Sequence, residues 1–212
     1  MKTWLITGCS TGLGRSLAKA VLQKGDNVVV TARDTKKLEE FEKEFPRTAL
    51  IVRLDVTDLP SVTEAVRAAK ERFGGIDVLV NNAGYGYRAA VEEGNPEGLY
   101  LETAPLGIKV MIVEPGAFRT DFAGRSLTQS KTAIADYAGT AGTRRIENDK
   151  THGTQPGDPD KGARLIIEAI EAEDAPLRLL LGSDAVRAAD TVLESHKSEY
   201  DKWREFSRRS DF

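Results

Sequence analysis

The sequence has little of what disulfides, metal centres and membrane spans require. Its 212 residues include one cysteine, Cys9, and two histidines, His152 and His196, which lie far apart. A single cysteine excludes an internal disulfide and is typical of a reducing cytoplasm. One thiol and two separated imidazoles give none of the ligand spacings of a zinc site, so we predict no bound metal. No apolar run approaches the roughly 20 residues of a membrane-spanning helix.

The net charge is also too small to indicate a polyanionic partner. Lys and Arg together number 30 and Asp and Glu 33, which gives a net charge of −3 at pH 7. We therefore predict no nucleic-acid partner. A strand is predicted almost at the N-terminus, in MKTWLITG, which does not fit a secretory signal peptide. We expect a cytoplasmic protein that has no membrane partner and forms a single domain over residues 1–212.

The first half of the chain alternates apolar strands with amphipathic helices. The predicted strands are Thr3–Thr7, Asn27–Ala32, Thr48–Asp55 and Ile76–Val80. Apolar residues at helical spacing follow each of the first three strands, and Gly25, Pro46 and Gly74 mark the helix ends. Near-continuous apolar strands between helices indicate a parallel sheet covered on both faces, the doubly wound α/β class.

The second half is less regular. A strand is predicted at Ile108–Val113, a helix at Pro159–Ala172 with Asp158 as its cap, a strand at Leu177–Gly182, and a final helix from Asp184 that frays into a charged tail. Within the helix, Leu165, Ile166, Ala169 and Ile170 are predicted to face the core. The long polar segment Ala117–Asp158 is interpreted as a lid or substrate loop within the single domain.

A glycine-rich turn joins the first predicted strand to the first helix. In TGCSTGLG (Thr7–Gly14), Gly8, Gly12 and Gly14 allow a tight turn, close approach of a ligand and close helix packing. The free N–H groups at the start of the helix then face a pyrophosphate, which the helix dipole also attracts. Because a strand precedes the turn and a helix follows it, the pattern predicts a dinucleotide-binding site.

The turn and three later motifs resemble the short-chain dehydrogenase/reductase family. The T-G-x-x-x-G-x-G turn is followed, in the family's order, by LDVTD (Leu54–Asp58), NNAG (Asn81–Gly84) and EPGAFRT (Glu114–Thr120). The resemblance covers most of Met1–Thr120 and extends more loosely to the last strand. It implies a Rossmann-type sheet that binds a nicotinamide dinucleotide.

The resemblance also implies a cofactor contact for each motif. LDVTD would lie beside the adenine ring, NNAG would steady the sheet and line the ribose, and EPGAFRT would meet the nicotinamide end. The predicted cofactor-binding residues are Gly8, Ser10, Thr11, Gly12, Leu13, Gly14, Arg33, Asp55, Val56, Asn82, Ala83, Gly84, Pro115, Gly116 and Thr120.

The end of the second predicted strand bears on the choice of cofactor. An acidic residue there would bind the ribose 2′-hydroxyl of NAD(H), and an arginine would suit the 2′-phosphate of NADP(H). Here Ala32 holds the acidic position and Arg33 follows it. A guanidinium forks well onto phosphate, so the sequence favours NADP(H) over NAD(H). Asp34 is interpreted as a cap of the next helix rather than as a ribose ligand.

The catalytic residues that the resemblance implies are absent. The family's reaction uses a tyrosine to move the proton, a lysine four residues later, a serine on the preceding strand and an asparagine on the helix before that serine. The tyrosines here are Tyr85, Tyr87, Tyr100, Tyr137 and Tyr200, and none has a lysine four residues later. Without a nearby cation, a tyrosine keeps a pKa near 10 and is a poor acid–base catalyst. We therefore predict no catalytic residue in this chain.

The interval that should hold these residues is short by roughly 70 residues of a chain of about 250. YGYRAAVEEG resembles the usual continuation after N-N-A-G, and EGLYLETAPLGIKV resembles the end of the catalytic helix, so the seam falls near Gly94–Glu102. One helix, one central strand and most of the next helix would be missing. A gap in the sheet would leave strand edges unpaired and apolar surface exposed, and the family's oligomer interface would be impaired.

Three interpretations remain open. The first is an NADP(H)-dependent oxidoreductase that transfers hydride to or from the carbonyl or alcohol of a small molecule and is impaired or inactive in this form. The second is a non-catalytic NADP(H)-binding or regulatory protein. The third is a truncated remnant of a reductase, from a deletion or an omitted segment.

Overall fold

The computed structural model describes residues 1–84, 100, 103–120 and 153–209. The strands in these ranges are β1 (Thr3–Ile6), β2 (Asn27–Ala32), β3 (Ala49–Arg53), β4 (Val78–Val80), β5 (Ile112–Pro115) and β6 (Arg178–Leu181). The α-helices are α1 (Gly12–Lys24), α2 (Glu39–Glu44), α3 (Leu59–Phe73), α4 (Pro159–Glu171) and α5 (Ser183–Arg208), with 3-10 turns at Thr35–Leu38 and Ala104–Leu106. No helix in the described ranges is long and apolar enough to cross a membrane.

The first four strands form one parallel sheet in the order β3-β2-β1-β4. β1 is central, and its last residue, Ile6, lies opposite Val30 of β2 and Val80 of β4. In a parallel sheet the carboxyl ends of all strands lie at the same edge, where α/β proteins bind their ligands. The turn after β1 and the N-N-A-G motif after β4 therefore meet at this edge.

Helices cover both faces of this sheet. Because side chains alternate along a strand, Trp4 and Ile6 of β1 point to one face and Leu5 to the other. Trp4 and Ile6 belong to a core that also contains residues of α1, α2 and α4. Leu5 packs in a second cluster with Ala65 and Ala69 of α3. The predicted doubly wound α/β class is confirmed.

β5 and β6 form a separate two-stranded parallel sheet. Among the described strands, β4 pairs with β1 and β5 pairs with β6, and none lies between β4 and β5. Leu79 of β4 is 58% exposed, and Ile108, just before β5, is 53% exposed. Among the described residues, this break between the two sheets is consistent with the predicted loss of a central strand, and the apolar side chains of Leu79 and Ile108 beside it are open to solvent.

The first and last parts of the chain share one hydrophobic core despite this interruption. α4 packs on α1, and its Ala163, Ile166 and Ile167 are buried with Leu17 of α1 and Leu181 of β6. The Asp158 carboxylate starts α4 by accepting the N–H groups of Asp160 and Lys161, as predicted. The helix–helix contact therefore links the four-stranded sheet to the β5–β6 pair.

Three details differ from the predictions. Leu165 is half exposed instead of buried, because the stripe of α4 that meets α1 runs through Ala163, Ile166 and Ile167. β5 begins at Ile112 rather than Ile108, since pairing starts where Ile112 N–H donates to Leu177 O at 2.7 Å. The last helix does not fray early but continues to Arg208. Ion pairs three or four residues apart stabilise its exposed second half.

The predicted lid lies mostly outside the described residues, as do the Gly94–Glu102 seam (apart from Tyr100) and Tyr85, Tyr87 and Tyr137. The two ends of the lid segment are described, and they meet. Gly157 N–H donates to Ala117 O at 2.9 Å, and Arg119 N–H donates to Gly157 O at 2.8 Å. The role of residues 121–152 as a lid stays a prediction.

Candidate nucleotide site

The N-terminus of α1 has backbone donors that no side chain caps. Thr11 is the N-cap residue, and its side chain makes no capping hydrogen bond. Gly8 and Gly12 have φ of 73° and 64°, a left-handed backbone that favours glycine. The turn thereby aims the first N–H groups of α1 outward, at the positive end of the helix dipole. Such a helix start is suited to bind a phosphate.

Gly8 and Gly14 lie so close to the N-N-A-G motif after β4 that neither position has room for a side chain. A Cβ on Gly8 would lie 2.9 Å from the Cα of Ala83, and a Cβ on Gly14 would overlap the Asn82 Nδ2 and lie 2.8 Å from Gly8 O. Real side chains essentially never come so close, so either substitution would push the turn away from β4. Gly14 thus serves the close helix packing that its place in the motif predicted.

The Asn82 side chain holds the glycine-rich turn to the end of β4 by hydrogen bonds. Its Nδ2 donates to Thr7 O at 2.8 Å and to Gly8 O at 3.2 Å. The Thr7 hydroxyl accepts the N–H groups of Asn82 and Ala83 and donates to Val80 O. These bonds lock the end of β1 to the end of β4. With its amide nitrogen engaged in this way, Asn82 acts as a brace of the glycine-rich turn Thr7–Gly14.

The EPGAFRT motif meets the glycine-rich turn at Gly12. A Cβ added to Gly12 would lie 3.3 Å from the Cβ of Thr120, a tight contact, and the φ of 64° at Gly12 favours glycine as well. Thr120 and Arg119, together with Ser10, Thr11 and Gly12, line one open depression at the start of α1. Arg15, Ser16, Gly153 and Pro159 complete its lining. The structure therefore brings the first and last motifs together although more than 100 residues separate them.

Two arginines in this depression were not anticipated from the sequence. Arg119 donates through Nε and Nη2 to Gln155 O, at 3.2 and 3.1 Å. Arg15 donates to Ser10 O and Lys37 O, forms an ion pair with Glu40 and stacks over the Phe41 ring. Both guanidinium groups are held by main-chain carbonyls beside the glycine-rich turn. Neither lies at a position of the recognised motifs that signals a ligand contact.

Pro115 and Gly116 are positioned by a residue that the sequence analysis did not single out. The carboxylate of Asp184, at the start of α5, accepts the Ala117 N–H at 2.6 Å. A Cβ on Gly116 would overlap that carboxylate. The Ala117 N–H, together with the N–H groups of Asp184 and Ala185, holds the pKa of the Asp184 carboxyl below its usual value. The contact spans 67 residues of sequence, so no local pattern could reveal it.

The end of the site expected to hold adenine is open. Arg33 is exposed directly after β2, and Val56 is 49% exposed. Asp55 accepts the hydroxyl and the N–H of Thr57, and these bonds are the main reason that its pKa is lowered. Asp34 accepts the Lys36 N–H at 3.2 Å and caps the following 3-10 turn. The prediction of Asp34 as a cap is confirmed.

The other predicted residues have different surroundings. The Leu13 side chain is partly buried against the main core, so what it offers a ligand is its backbone. Gly84 and Pro115 are exposed at the ends of their motifs. Beneath the turn, Cys9 is fully buried and donates to Ile6 O, and burial raises the pKa of its thiol to about 12. Cys9 is therefore a packing residue and not a nucleophile.

The described tyrosines do not form a catalytic pair. Tyr200 lies on the exposed surface of α5, and the residue four positions later is Arg204. Tyr100 is followed at the same spacing by Ala104, in the 3-10 turn. The prediction that these tyrosines lack a lysine partner rests on the sequence alone and holds for the whole chain.

Comparisons with known proteins identify the family. A family model described as short chain dehydrogenase matches residues 2–99. The chain is 33% identical to oxidoreductase BOA17 of Botryotinia fuckeliana over 272 aligned positions, which include 99% of this chain and 99% of that protein. This alignment is longer than the 212 residues of the chain and must contain gaps opposite the fungal protein.

Comparison with solved structures points to the same family. A short-chain dehydrogenase from Streptomyces avermitilis superposes with a TM-score of 0.85 at 32% identity, covering 99% of this chain and 98% of that one. Two more distant members share the fold: a Burkholderia phymatum protein in complex with NAD (TM-score 0.73, 16% identity, 93% and 95% coverage) and a Burkholderia cenocepacia protein in complex with NADP (0.63, 21%, 87% and 97%). The chain belongs to the short-chain dehydrogenase/reductase family of oxidoreductases.

Proposed function

We propose that this chain binds NADP(H) at the start of α1 and does not turn over a carbonyl or alcohol substrate. The observation that carries the proposal is the depression at the helix start. There, the uncapped N–H groups of α1 lie beside Thr120 and Arg119, while the sequence contains no Tyr-x-x-x-Lys pair. The chain thus keeps a nucleotide site and lacks the family's proton donor.

The residues present fit a dinucleotide. The N–H groups at the start of α1 would hold the pyrophosphate, and the guanidinium groups of Arg119 and Arg15 add positive charge beside it. Because it has no side chain, Gly12 leaves room for the pyrophosphate to approach the backbone closely. When bound, the cofactor supplies hydride chemistry at C4 of its nicotinamide. The protein's own contribution would be to bind and orient, with Asp184 steadying the segment at the nicotinamide end.

Arg33 supports NADP(H) over NAD(H). It is exposed at the carboxyl end of β2, and its charge also lowers the pKa of Asp55 slightly, as a lesser cause than Thr57. A guanidinium at this position can fork onto a 2′-phosphate, whereas the 2′-hydroxyl of NAD(H) offers it no charge. Asp34 accepts the Lys36 N–H through Oδ1 as a cap, which favours a capping role over that of the acidic ribose ligand that NAD(H) would require.

The experiment is a titration of the purified chain with NADPH and NADH, followed by nucleotide fluorescence and by melting temperature. At a hundred times its dissociation constant, NADPH should stabilise the fold by about 2.7 kcal/mol, a rise in melting temperature of about 5 to 10 °C. Arg33→Ala should weaken NADPH binding about tenfold and leave NADH binding unchanged. Arg47→Ala, which replaces an exposed arginine between α2 and β3, is the matched control and should change neither.

The same samples separate binding from catalysis. With NADPH bound and carbonyl compounds in excess, the nicotinamide absorbance should stay constant, because no tyrosine–lysine pair is present to supply the proton. Steady oxidation of NADPH would contradict the proposed lack of turnover. A chain that melts cooperatively but binds neither nucleotide would contradict the binding half.

The interrupted sheet favours a second candidate, that the chain is a truncated remnant of a reductase. The gap between β4 and β5, the exposed Leu79 and an alignment that exceeds the chain length all support a missing segment. A broad melt that no nucleotide sharpens would favour the remnant over the NADP(H)-binding protein.

A further inference from the structure

α5 is a long helix that none of the described residues covers. Its 26 residues extend about 39 Å, and none of them is buried. Leu193, Tyr200 and Trp203 are 66%, 65% and 58% exposed. Large apolar side chains so open to water, all on one helix, mark an interaction surface rather than a solvated face.

Seven residues of α5, five of them apolar or aromatic, follow the spacing of a coiled coil. Steps of three and four residues connect Val186, Ala189, Leu193, His196, Tyr200, Trp203 and Ser207, which we call the α5 stripe. Three heptads with such residues at positions a and d are typical of one helix packing along another. The stripe thus calls for a helical partner of comparable length.

The charges on α5 disfavour a membrane surface. The helix carries six acidic and five basic residues, whereas a helix that lies on anionic lipid is rich in Lys and Arg. The balance of the two signs instead suits a helix that pairs with a copy of itself.

We propose that the α5 stripe pairs with the α5 stripe of a second copy of this chain, antiparallel and about a two-fold axis. In this alignment Leu193 lies opposite the partner's Trp203, and His196 opposite the partner's Tyr200. Large side chains then face smaller ones, which suits close packing. Such a contact is isologous, the usual form of a homodimer interface.

The packing of unequal side chains favours this orientation, and the flanking charges are compatible with it. On one side of the stripe, Asp190 faces the partner's Arg204, and the symmetry makes this pair twice. Lys197 faces its own copy, but Asp201 on the same helix lies 2.7 Å from it and offsets the charge. On the other side, Val192 faces the partner's Phe206. A parallel pair would instead place His196 against His196 and Trp203 against Trp203, and would exchange the Asp190–Arg204 pairs for Glu199–Arg204 pairs.

The test measures the mass of the full chain by light scattering over a range of concentrations, with circular dichroism as a check on helix content. The wild type should dimerise below about 100 μM. Arg204→Asp and Asp190→Arg should each raise the dimer dissociation constant about tenfold, and the double variant should restore it. Arg187→Asp, a charge reversal on the opposite face of α5, is the matched control and should leave the dimer unchanged.

Each other result overturns the proposal. A wild type that stays monomeric at about 100 μM has no such interface. A dimer that Arg204→Asp leaves intact, or that Arg187→Asp weakens equally, associates through another surface. A dimer rescued by exchanging the charges of Glu199 and Arg204, but not those of Asp190 and Arg204, is parallel. Because these side chains are exposed, the variants should keep the fold, and the restoring double variant excludes general damage.

Discussion

At the scale of single residues, the site depends on glycines whose missing side chains make room for another segment. Gly14 lies against the Asn82 amide and Gly8 O, so an added methyl group has nowhere to go. Asn82 cannot turn aside without giving up its bonds to Thr7 O and Gly8 O. The space at Gly14 is therefore fixed by a hydrogen-bonded side chain and by backbone.

We expect Gly14→Ala to destabilise the chain by about 1 to 3 kcal/mol, the usual cost of an overpacked site. The methyl group must displace either the Asn82 amide or the turn, so NADPH binding should weaken as well. Chemical denaturation and nucleotide titration measure the two effects. Gly75→Ala is the control, since nothing lies within 4 Å of a Cβ there, and it should change stability by less than about 0.5 kcal/mol. Equal effects of the two variants would contradict the packing argument.

The same residues show how far the sequence could predict the site. The glycines and the N-N-A-G motif carry local signals, and their contacts agree with the structural part of the predicted roles, the tight turn and the bracing of the sheet. Their contacts with a cofactor stay predictions. Arg119 and Asp184 carry none, because each acts through a partner that only the fold brings near. Arg119 depends on Gln155, and Asp184 on an N–H 67 positions away.

At the scale of elements, the start of α5 is coupled to the end of β5. Asp184 is the second residue of α5, and its carboxylate holds the Ala117 N–H just after the Pro115–Gly116 step. The carboxyl pKa is lowered chiefly by this N–H. The final helix thereby orients the segment expected at the nicotinamide end.

Asp184→Asn should lower stability near pH 7 by about 1 kcal/mol or less, because the contact is solvent-exposed. A carboxyl whose folded pKa is depressed contributes stability above its ordinary pKa of about 3.9 and loses it as the pH falls through the lower folded value. The gap between wild type and variant should therefore close below about pH 4. Urea denaturation between pH 7 and pH 3 measures it, with Asp174→Asn as the exposed control. A gap that persists at low pH would assign the effect to packing instead of charge.

Element boundaries were predictable where local chemistry marks them. Gly25 and Gly74 end α1 and α3 with φ of 96° and 88°, and Asp158 caps α4 as expected. Features that depend on a neighbouring element of the fold were not predictable from the sequence. β5 starts only where β6 lies beside it, and Leu165 is exposed because the position of α1 selects a neighbouring stripe of α4.

At the scale of the whole molecule, the described strands form two sheets, with β4 in one and β5 in the other, and α1 and α4 pack between them. This arrangement is consistent with the missing central strand that the short interval after N-N-A-G predicts, and the missing segment itself stays a prediction. Strand edges and apolar residues such as Leu79 then lose the neighbours that a continuous sheet would give them. The present chain should accordingly be less stable than a family member with the complete sheet.

Restoring the interval tests this account directly. We expect a chimera in which a helix–strand–helix unit of the family type, with a Tyr-x-x-x-Lys pair, replaces residues 94–102 to melt at least about 10 °C higher than the present chain. The inserted strand would pair with both β4 and β5, and its helices would cover Leu79. The unit should also bring the family's tyrosine and lysine, so NADPH oxidation with a carbonyl acceptor should appear. An insert of equal length made of Gly and Ser lengthens the loop without supplying a strand and should raise neither quantity. A chimera that folds but melts no higher than this control would mean that β4 and β5 do not flank an open strand position, and the proposed missing segment would have to be abandoned.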